Sequence, residues 1–328
     1  IPEAVEIVDT AEAAACCDLA LIATPTIGVR GAARTLRGVL PAGRPVACTS
    51  KGLEPKTLLP LHEVAAQELP GHPFVALSGP SHAEELSRGI PTVLAAASHS
   101  LAAAQQVQEL TEGTHIRIYT NDDLMGVELG GALKNVIAFA SGVIDGMGYG
   151  DNTKAALMTR GLTEIARLGT RMGARAETFA GLAGVGDLIV TCCSQHSRNH
   201  RCGVYVGEGL TVKEAVAKVG MTVEGVTAAL CAHELAEKLG VEMPVTSSGC
   251  AVNDGMAAYV VRSLLGAMGS DGRGARALLM GVTYKENIDD IRNSRIAEMV
   301  GLLEREGMSV DVTDPHADPD KVYAMYGI

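Results

Sequence analysis

The stretch Phe74–Glu84, FVALSGPSHAE, decides the reading of the N-terminal half. Its first residues are apolar without alternation, the pattern of a strand covered on both faces in a parallel sheet. Gly79 and Pro80 break that strand. Ser81–Glu84 then open a helix, whose first N–H groups have no partner within the helix and suit an anion. A turn of this kind, just past the end of a strand, is where a doubly wound sheet presents ligands.

Working outward, Asp18–Thr24 (DLALIAT), Pro45–Ser50 (PVACTS), Thr92–Ala97 (TVLAAA) and Ile116–Thr120 (IRIYT) carry the same strand pattern. Val29–Leu40, Thr57–Leu69 and Leu101–Thr111 read as helices between them. This alternation predicts a mostly parallel sheet with helices on both faces. From 121 to 248 the pattern is helical, with long periodic segments at Asp122–Met147, Asn152–Met172 and Val223–Leu239, the last closed by Gly240. Beyond Pro244 come a strand at Ala277–Val282, a helix at Ser294–Glu306 and a strand at Ser309–Thr313 ending in Asp314-Pro315. That is one βαβ unit, too small to hold a core alone.

The expected fold class is therefore α/β plus all-α. It comprises a partial dinucleotide-binding domain with an incomplete Rossmann-like sheet (1–120), a helical catalytic and substrate domain (121–248) and a partial α/β tail (249–328). The dinucleotide fingerprint itself, strand then G-x-G-x-x-G then helix, is absent. Gly146-Met-Gly148-Tyr-Gly150 lies at a helix end, and Gly181-Leu-Ala-Gly184-Val-Gly186 has the wrong spacing. Both read as turn glycines. Since the sequence opens at Ile1 inside a domain pattern, the first βαβ unit is expected upstream of it.

Apolar residues at 47% and charged residues at 20% describe an ordinary globular chain. A formal charge of −11 offers no basic stripe for nucleic acid, and the lack of Trp removes the best stacking platform for bases. A small phosphorylated ligand, needing only a few donors, stays open. The cysteines form adjacent pairs (Cys16-Cys17, Cys192-Cys193) and singles without a C-x-x-C, which reads as reduced cytosolic thiols. No apolar run is expected to reach the ~20 residues of a membrane span.

The chemistry concentrates in Glu128–Gly142, ELGGALKNVIAFASG. Adjacent glycines inside a helix cost about 1 kcal/mol each, a loss accepted where backbone approaches a neighbour or ligand closely. Lys134 and Asn135 follow in an apolar helix, where the bland alternative is a lysine snorkelling to solvent. Three other islands bear on that choice. Ser50-Lys51-Gly52 follows a strand, Ser78–Glu84 joins a strand to a helix, and Gly181–Gly203 leads through Asp187 to Ser197-Arg198-Asn199. Each alone reads as a turn or cap; the ordered set points to a site.

In that order the islands resemble the NAD(P)-dependent glycerol-3-phosphate dehydrogenase family: S-K-G, S-G-P-S-x-A-x-E, E-x-x-x-A-x-K-N, G-L-x-G-x-G-D-L-x-x-T and S-R-N, then Val223-Glu224-Gly225 and Gly240-Val241-Glu242-Met243-Pro244. The resemblance spans roughly residues 1–246. It implies interconversion of sn-glycerol 3-phosphate and dihydroxyacetone phosphate with NAD or NADP, feeding glycerophospholipid synthesis in the cytoplasm. It implies Lys134 as the proton donor and acceptor, and Lys51, Gly79, Ser81, Asp187, Ser197, Arg198 and Asn199 around the substrate. Lys51, Ala83, Arg198 and Glu224 would meet the cofactor. Implied partners are a small phosphorylated substrate and a second copy of the chain, with no nucleic acid. His82 departs from the family, which usually carries an aromatic residue there.

The run Cys192–Cys202, CCSQHSRNHRC, also offers thiols and imidazoles, but its spacing matches no closed zinc site, so no metal is expected. From about Ala251 the resemblance shifts to the C-terminal domain of nucleotide-sugar dehydrogenases such as the UDP-N-acetylhexosamine enzymes, carried by Val252-Asn253-Asp254-Gly255-Met256, Gly281–Ser294 and Asp314-Pro315. It implies Lys285 and Arg292 as phosphate-facing residues. That family's G-G-x-C-x-P cysteine motif is missing, since Gly249-Cys250 lacks both the preceding glycine and the following proline. The alternatives are thus a chain related to UDP-sugar dehydrogenases or a catalytically inactive fusion fragment.

Overall fold

The computed structural model describes residues 5–8, 11–246, 256–269, 272–283, 291, 294 and 296–328. The chain divides into two compact units, Ile1–Gly249 and Cys250–Ile328.

The first unit opens with β1 (Ala20–Ile22), α1 (Val29–Leu36), β2 (Val46–Cys48), α2 (Leu61–Glu68), β3 (Phe74–Ser78), α3 (Ala83–Leu86), β4 (Thr92–Ala97), α4 (Leu101–Glu109) and β5 (Ile116–Asn121). The strands form one sheet in the order β1-β2-β3-β4-β5. Neighbours run parallel except β3 and β4, which are antiparallel. The connection 79–91 holds only the one-turn α3, without the longer helix usual in a parallel crossover, and β4 returns antiparallel beside β3.

Alternation within each strand feeds two cores. Ile22, Val46, Cys48, Phe74 and Ala76 pack with Val29, Ala33 and Leu61 of α1 and α2. Ala47, Val75, Ala96 and Ile118 pack with Ala103, Ala104 and Val107 of α4 on the other face. Helix α1 ends at Leu36 rather than Leu40 because Gly38 takes a left-handed φ of 75°.

The helical part comprises α5 (Leu124–Gly146), α6 (Asp151–Arg171), α7 (Ala176–Phe179), α8 (Asp187–Cys193), α9 (Arg198–Gly207), α10 (Val212–Val219) and α11 (Glu224–Leu239). Asp123 starts α5 by accepting from the Gly126 N–H at 3.0 Å, and it also accepts from the Arg175 N–H at 2.9 Å. The expectation that no segment reaches spanning length needs correction. The 23 residues of α5, with mean hydropathy 1.4, and the segment Ala176–Cys193 are long and apolar enough to cross a membrane on composition alone. In α5, however, 72% of that apolar window is buried inside the protein, so its apolarity serves the core.

Glycines set how closely α5 meets its neighbours. A Cβ on Gly142 would lie 2.0 Å from the His200 carbonyl oxygen, and one on Gly146 2.2 Å from that of Val204. In return, a Cβ on Gly203 would lie 2.0 Å from the Phe139 carbonyl oxygen and one on Gly207 2.3 Å from that of Val143. Helices α5 and α9 therefore touch backbone to backbone. Earlier in α5, a Cβ on Gly130 would meet the Ala183 carbonyl oxygen at 2.6 Å, and one on Gly131 the Ser78 Oγ at 2.6 Å. The close approach expected of that glycine pair is present on both sides.

In the second unit, β6 (Arg276–Met280) pairs parallel with β7 (Ser309–Thr313). They are accompanied by α12 (Met256–Met268), α13 (Ile296–Arg305) and α14 (Pro319–Tyr326). Val261, Leu303 and Met308 centre its core. Asp314 ends β7 by accepting from the N–H groups of Val282 at 2.6 Å and Thr283 at 2.9 Å. Lys285, Arg292, Gly249-Cys250 and Val252–Gly255 lie outside the described residues.

Replacing Gly142 with alanine should force α5 and α9 apart and cost about 1–3 kcal/mol of stability. Urea unfolding reads this as a lower midpoint; a midpoint equal to the parent's would contradict backbone contact at that crossing.

Candidate active site

Four distant islands meet at one carboxylate. Lys134 lies on α5, Asp187 is the first residue of α8, Lys51 follows β2, and Gly79 follows β3. Asp187 is 1% exposed and Lys134 6%. The Lys134 ammonium is ion-paired to Asp187 Oδ1 and donates to Thr191 Oγ1 at 2.9 Å. The other carboxylate oxygen, Oδ2, takes Lys51 Nζ at 2.7 Å. Lys51 Nζ also donates to the Gly79 carbonyl at 3.0 Å, and Ser81 Oγ donates to the same carbonyl at 2.9 Å. Gly79 has φ 138°, and a Cβ there would lie 3.1 Å from the Val93 carbonyl oxygen, so only glycine suits this turn.

Two cations share one anion here, Lys134 buried with it and Lys51 half-buried at the cavity. Burial, and then the neighbouring charge of Lys51, bring the Lys134 ammonium down to a pKa of about 7, while Asp187 opposes the shift. Burial alone would raise the Asp187 carboxyl; the charges of Lys51 and Lys134 outweigh it and hold the group below its ordinary value. The site thus contains an amine whose protonated and neutral forms are both available near neutral pH, beside a carboxylate that stays ionised.

A second set comes from α9 and α11. Ser197 caps α9 by accepting from the His200 N–H at 3.2 Å. Asn199 Nδ2 donates to Asn135 Oδ1 at 2.9 Å, and Asn199 Oδ1 accepts from the Gly225 N–H at 2.8 Å. Asn199 therefore ties α5, α9 and α11 together one residue from the buried lysine. Arg198 is exposed at the start of α9. Glu224 begins α11 and accepts from Thr26 Oγ1 at 3.1 Å, linking the helical part to the loop after β1.

The expected site residues fall around one cavity of about 600 Å³. Lys51, Ser81, Ala83 and Lys134 line it from one side, and Ser197, Arg198, Asn199 and Glu224 from the other. Gly79 and Asp187 are both buried and sit behind that lining, bonded to Lys51. Sequence reasoning assigned no role to Thr191 or Thr26. Thr191 falls one helical turn after Asp187 and was legible from that spacing; Thr26 has no sequence signal, since its partner lies on α11. Burial pushes the Cys192 thiol up to about 12, which leaves it a neutral packing group.

Comparison with known proteins bears on this geometry. Residues 1–104 match the family model for the NAD-dependent glycerol-3-phosphate dehydrogenase N-terminus, and residues 123–257 that for the same family's C-terminus. Residues 278–328 match the UDP binding domain of the UDP-glucose/GDP-mannose dehydrogenase family. A glycerol-3-phosphate dehydrogenase [NAD(P)+] of Clostridium perfringens is 53% identical over 238 residues, 73% of this chain and 72% of that protein. The corresponding protein of Desulfitobacterium hafniense is 47% identical over 274 residues, 84% of this chain and 74% of its own length. Among solved structures, glycerol-3-phosphate dehydrogenase from Coxiella burnetii superposes with a TM-score of 0.72 at 39% identity, covering 75% of each chain.

Asp187→Asn leaves the buried Lys134 ammonium, and the half-buried one of Lys51, without their anion and should lower stability by about 3–5 kcal/mol at slightly acidic pH. The deficit should shrink toward about pH 9, because a lysine whose folded pKa is depressed gains stability as pH rises and its neutral form needs no carboxylate. Thermal unfolding across pH checks both parts; a deficit that does not change with pH would refute the shared-anion account.

Proposed function

The chain belongs to the NAD-dependent glycerol-3-phosphate dehydrogenase family, and from that premise we propose that Lys134 is its catalytic acid and base. The reaction is the interconversion of sn-glycerol 3-phosphate and dihydroxyacetone phosphate with NAD or NADP, an entry to glycerophospholipid synthesis. The observation that carries the residue assignment is the Lys134–Asp187–Lys51 cluster at the wall of the cavity.

Reduction of the ketone leaves charge on the C2 oxygen. The Lys134 ammonium, held by Asp187 and Thr191, donates a proton to that oxygen. In the reverse direction the neutral amine accepts the proton from the C2 hydroxyl. A pKa of about 7 makes both forms available near neutrality, which is where a group serving in two directions is most effective. Asp187 stays ionised and keeps Nζ in place; Lys51 lowers the affinity of Lys134 for its proton and adds a positive charge for an anionic substrate.

Arg198 presents a planar fork of donors suited to a phosphate, with Ser197 and Asn199 beside it. The nicotinamide group of the cofactor supplies or takes up the hydride. Lys51, Arg198 and Glu224 share one cavity with Lys134 and fit the part of the cofactor that reaches the substrate. In this reading residues 1–120 serve the cofactor, 121–248 the substrate, and 249–328 form a separate element. Free cysteines, buried at Cys48, Cys192, Cys202 and Cys231, support a reducing, cytoplasmic setting. The homodimer is proposed alongside, and sedimentation reads it directly.

The match at 278–328 favours a second reading for the C-terminal unit only, as a binder of a uridine nucleotide. Titration with UDP tests it independently of turnover. The inactive-fusion alternative is excluded by any saturable oxidation of NADH or NADPH with dihydroxyacetone phosphate.

That absorbance assay also tests the residues. Lys134→Met should lower kcat by about 10²- to 10⁴-fold, as expected for loss of a positioned acid and base, and undiminished turnover would overturn the role. Ketone reduction needs protonated Lys134 and should decline as pH rises through about 7, whereas oxidation of glycerol 3-phosphate should increase over the same range. Lys51→Met removes the nearby cation and should move both limbs to higher pH; limbs that stay in place would separate Lys51 from the proton chemistry.

A further inference from the structure

The cavity contains two imidazoles that the proton transfer at C2 does not use. His82 follows Ser81 at the start of α3, and His196 precedes Ser197 at the start of α9; both line the cavity with Lys134 and Arg198. Their ring centroids are 6.0 Å apart, inclined at 60°. Nε2 of His82 is buried with no hydrogen-bond partner. A buried polar atom in that condition is costly unless a ligand supplies its missing bond.

Resting on the substrate assignment above, we propose that His82 is a further substrate-binding residue, taking up one proton from solvent as the phosphorylated substrate enters and donating an N–H to an anionic oxygen of that substrate. His196 flanks the ring as a positioning residue. No bond to carbon changes and nothing is oxidised; one proton passes from the buffer to an imidazole nitrogen.

The groups around His82 suit such a switch. Burial, foremost, keeps its pKa below the ordinary imidazole value, and Lys134 on α5 acts in the same direction. The Val190 carbonyl on α8 and the carboxylates Glu84 and Glu85 on α3 favour the charged ring, and His196 is the titratable group facing it from the segment before α9. At neutral pH the free protein therefore carries a neutral His82. A phosphate monoester in the cavity brings negative charge beside a group that burial and Lys134 keep neutral, and the balance reverses. Affinity should then increase as pH falls through the interval between the free and bound pKa values of His82.

Calorimetric titration with sn-glycerol 3-phosphate at about pH 7, in two buffers of different ionisation enthalpy, measures the protons taken up. The wild type should take up about half a proton or more per substrate beyond the His82→Phe variant. Because Lys134 faces His82 and titrates in the same range, the same difference is also measured in the Lys134→Met background, where its share is absent. His82→Gln, polar but without a proton to gain, should behave like His82→Phe. Equal uptake in all three proteins, with substrate still bound, overturns the proposal. Absence of glycerol 3-phosphate binding in the wild type would instead remove the substrate assignment itself. In the wild type alone, the His82 Cε1 proton resonance should titrate at higher pH once substrate is added, and an unmoved midpoint would also count against the inference.

Discussion

The site depends on one constraint: a single buried carboxylate, Asp187, is shared by two lysines from different parts of the chain. Removing charges from water is costly, and such a group survives only where each member finds partners of good geometry. Asp187 spends one oxygen on Lys51 and the other on Lys134. The balance is incomplete, because two cations face one anion, and burial first, with the excess positive charge second, leaves the deeper lysine ready to lose its proton. The turn after β2, the turn after β3, the middle of α5 and the start of α8 all have to arrive at one point for this to hold.

Helix α5 is the element that brings them there. It is buried along most of its length, and its glycines let three neighbours approach closely, two of them at backbone distance. Gly130 admits the turn that precedes Asp187, Gly131 admits the end of β3, and Gly142 with Gly146 admit α9. Asn135 and Asn199 then close the remaining gap with a side-chain bond. An apolar helix that resembles a membrane span on composition is here the spine of a catalytic layer.

Much of this was legible in the sequence, for identifiable reasons. Strands β3 and β4 were read with their observed limits, because fully buried strands are unbroken apolar runs bounded by Gly, Pro or polar residues. The close approach at Gly130 and Gly131 followed from the energetic cost of glycine within a helix. The antiparallel return of β4 was not read, since direction depends on how much chain a connection can carry across the sheet. Helices α12 and α14 were also missed. Their packing partners, Leu303 for α12 and Val282 and Ile291 for α14, are remote in sequence. The same holds for Thr26 and Glu224, whose meeting depends on the folding of everything between them.

The glycine crossing of α5 and α9 also limits how this site can evolve. Where two backbones touch, the distance between the elements carrying Lys134 and Arg198 is not open to gradual adjustment by exchanging one side chain for a slightly larger one. Diversification is left to the groups projecting from those frames, such as the rings at 82 and 196. Lineages that share this crossing can therefore change what the cavity prefers while inheriting an unaltered spacing between the helices that carry Lys134 and Arg198.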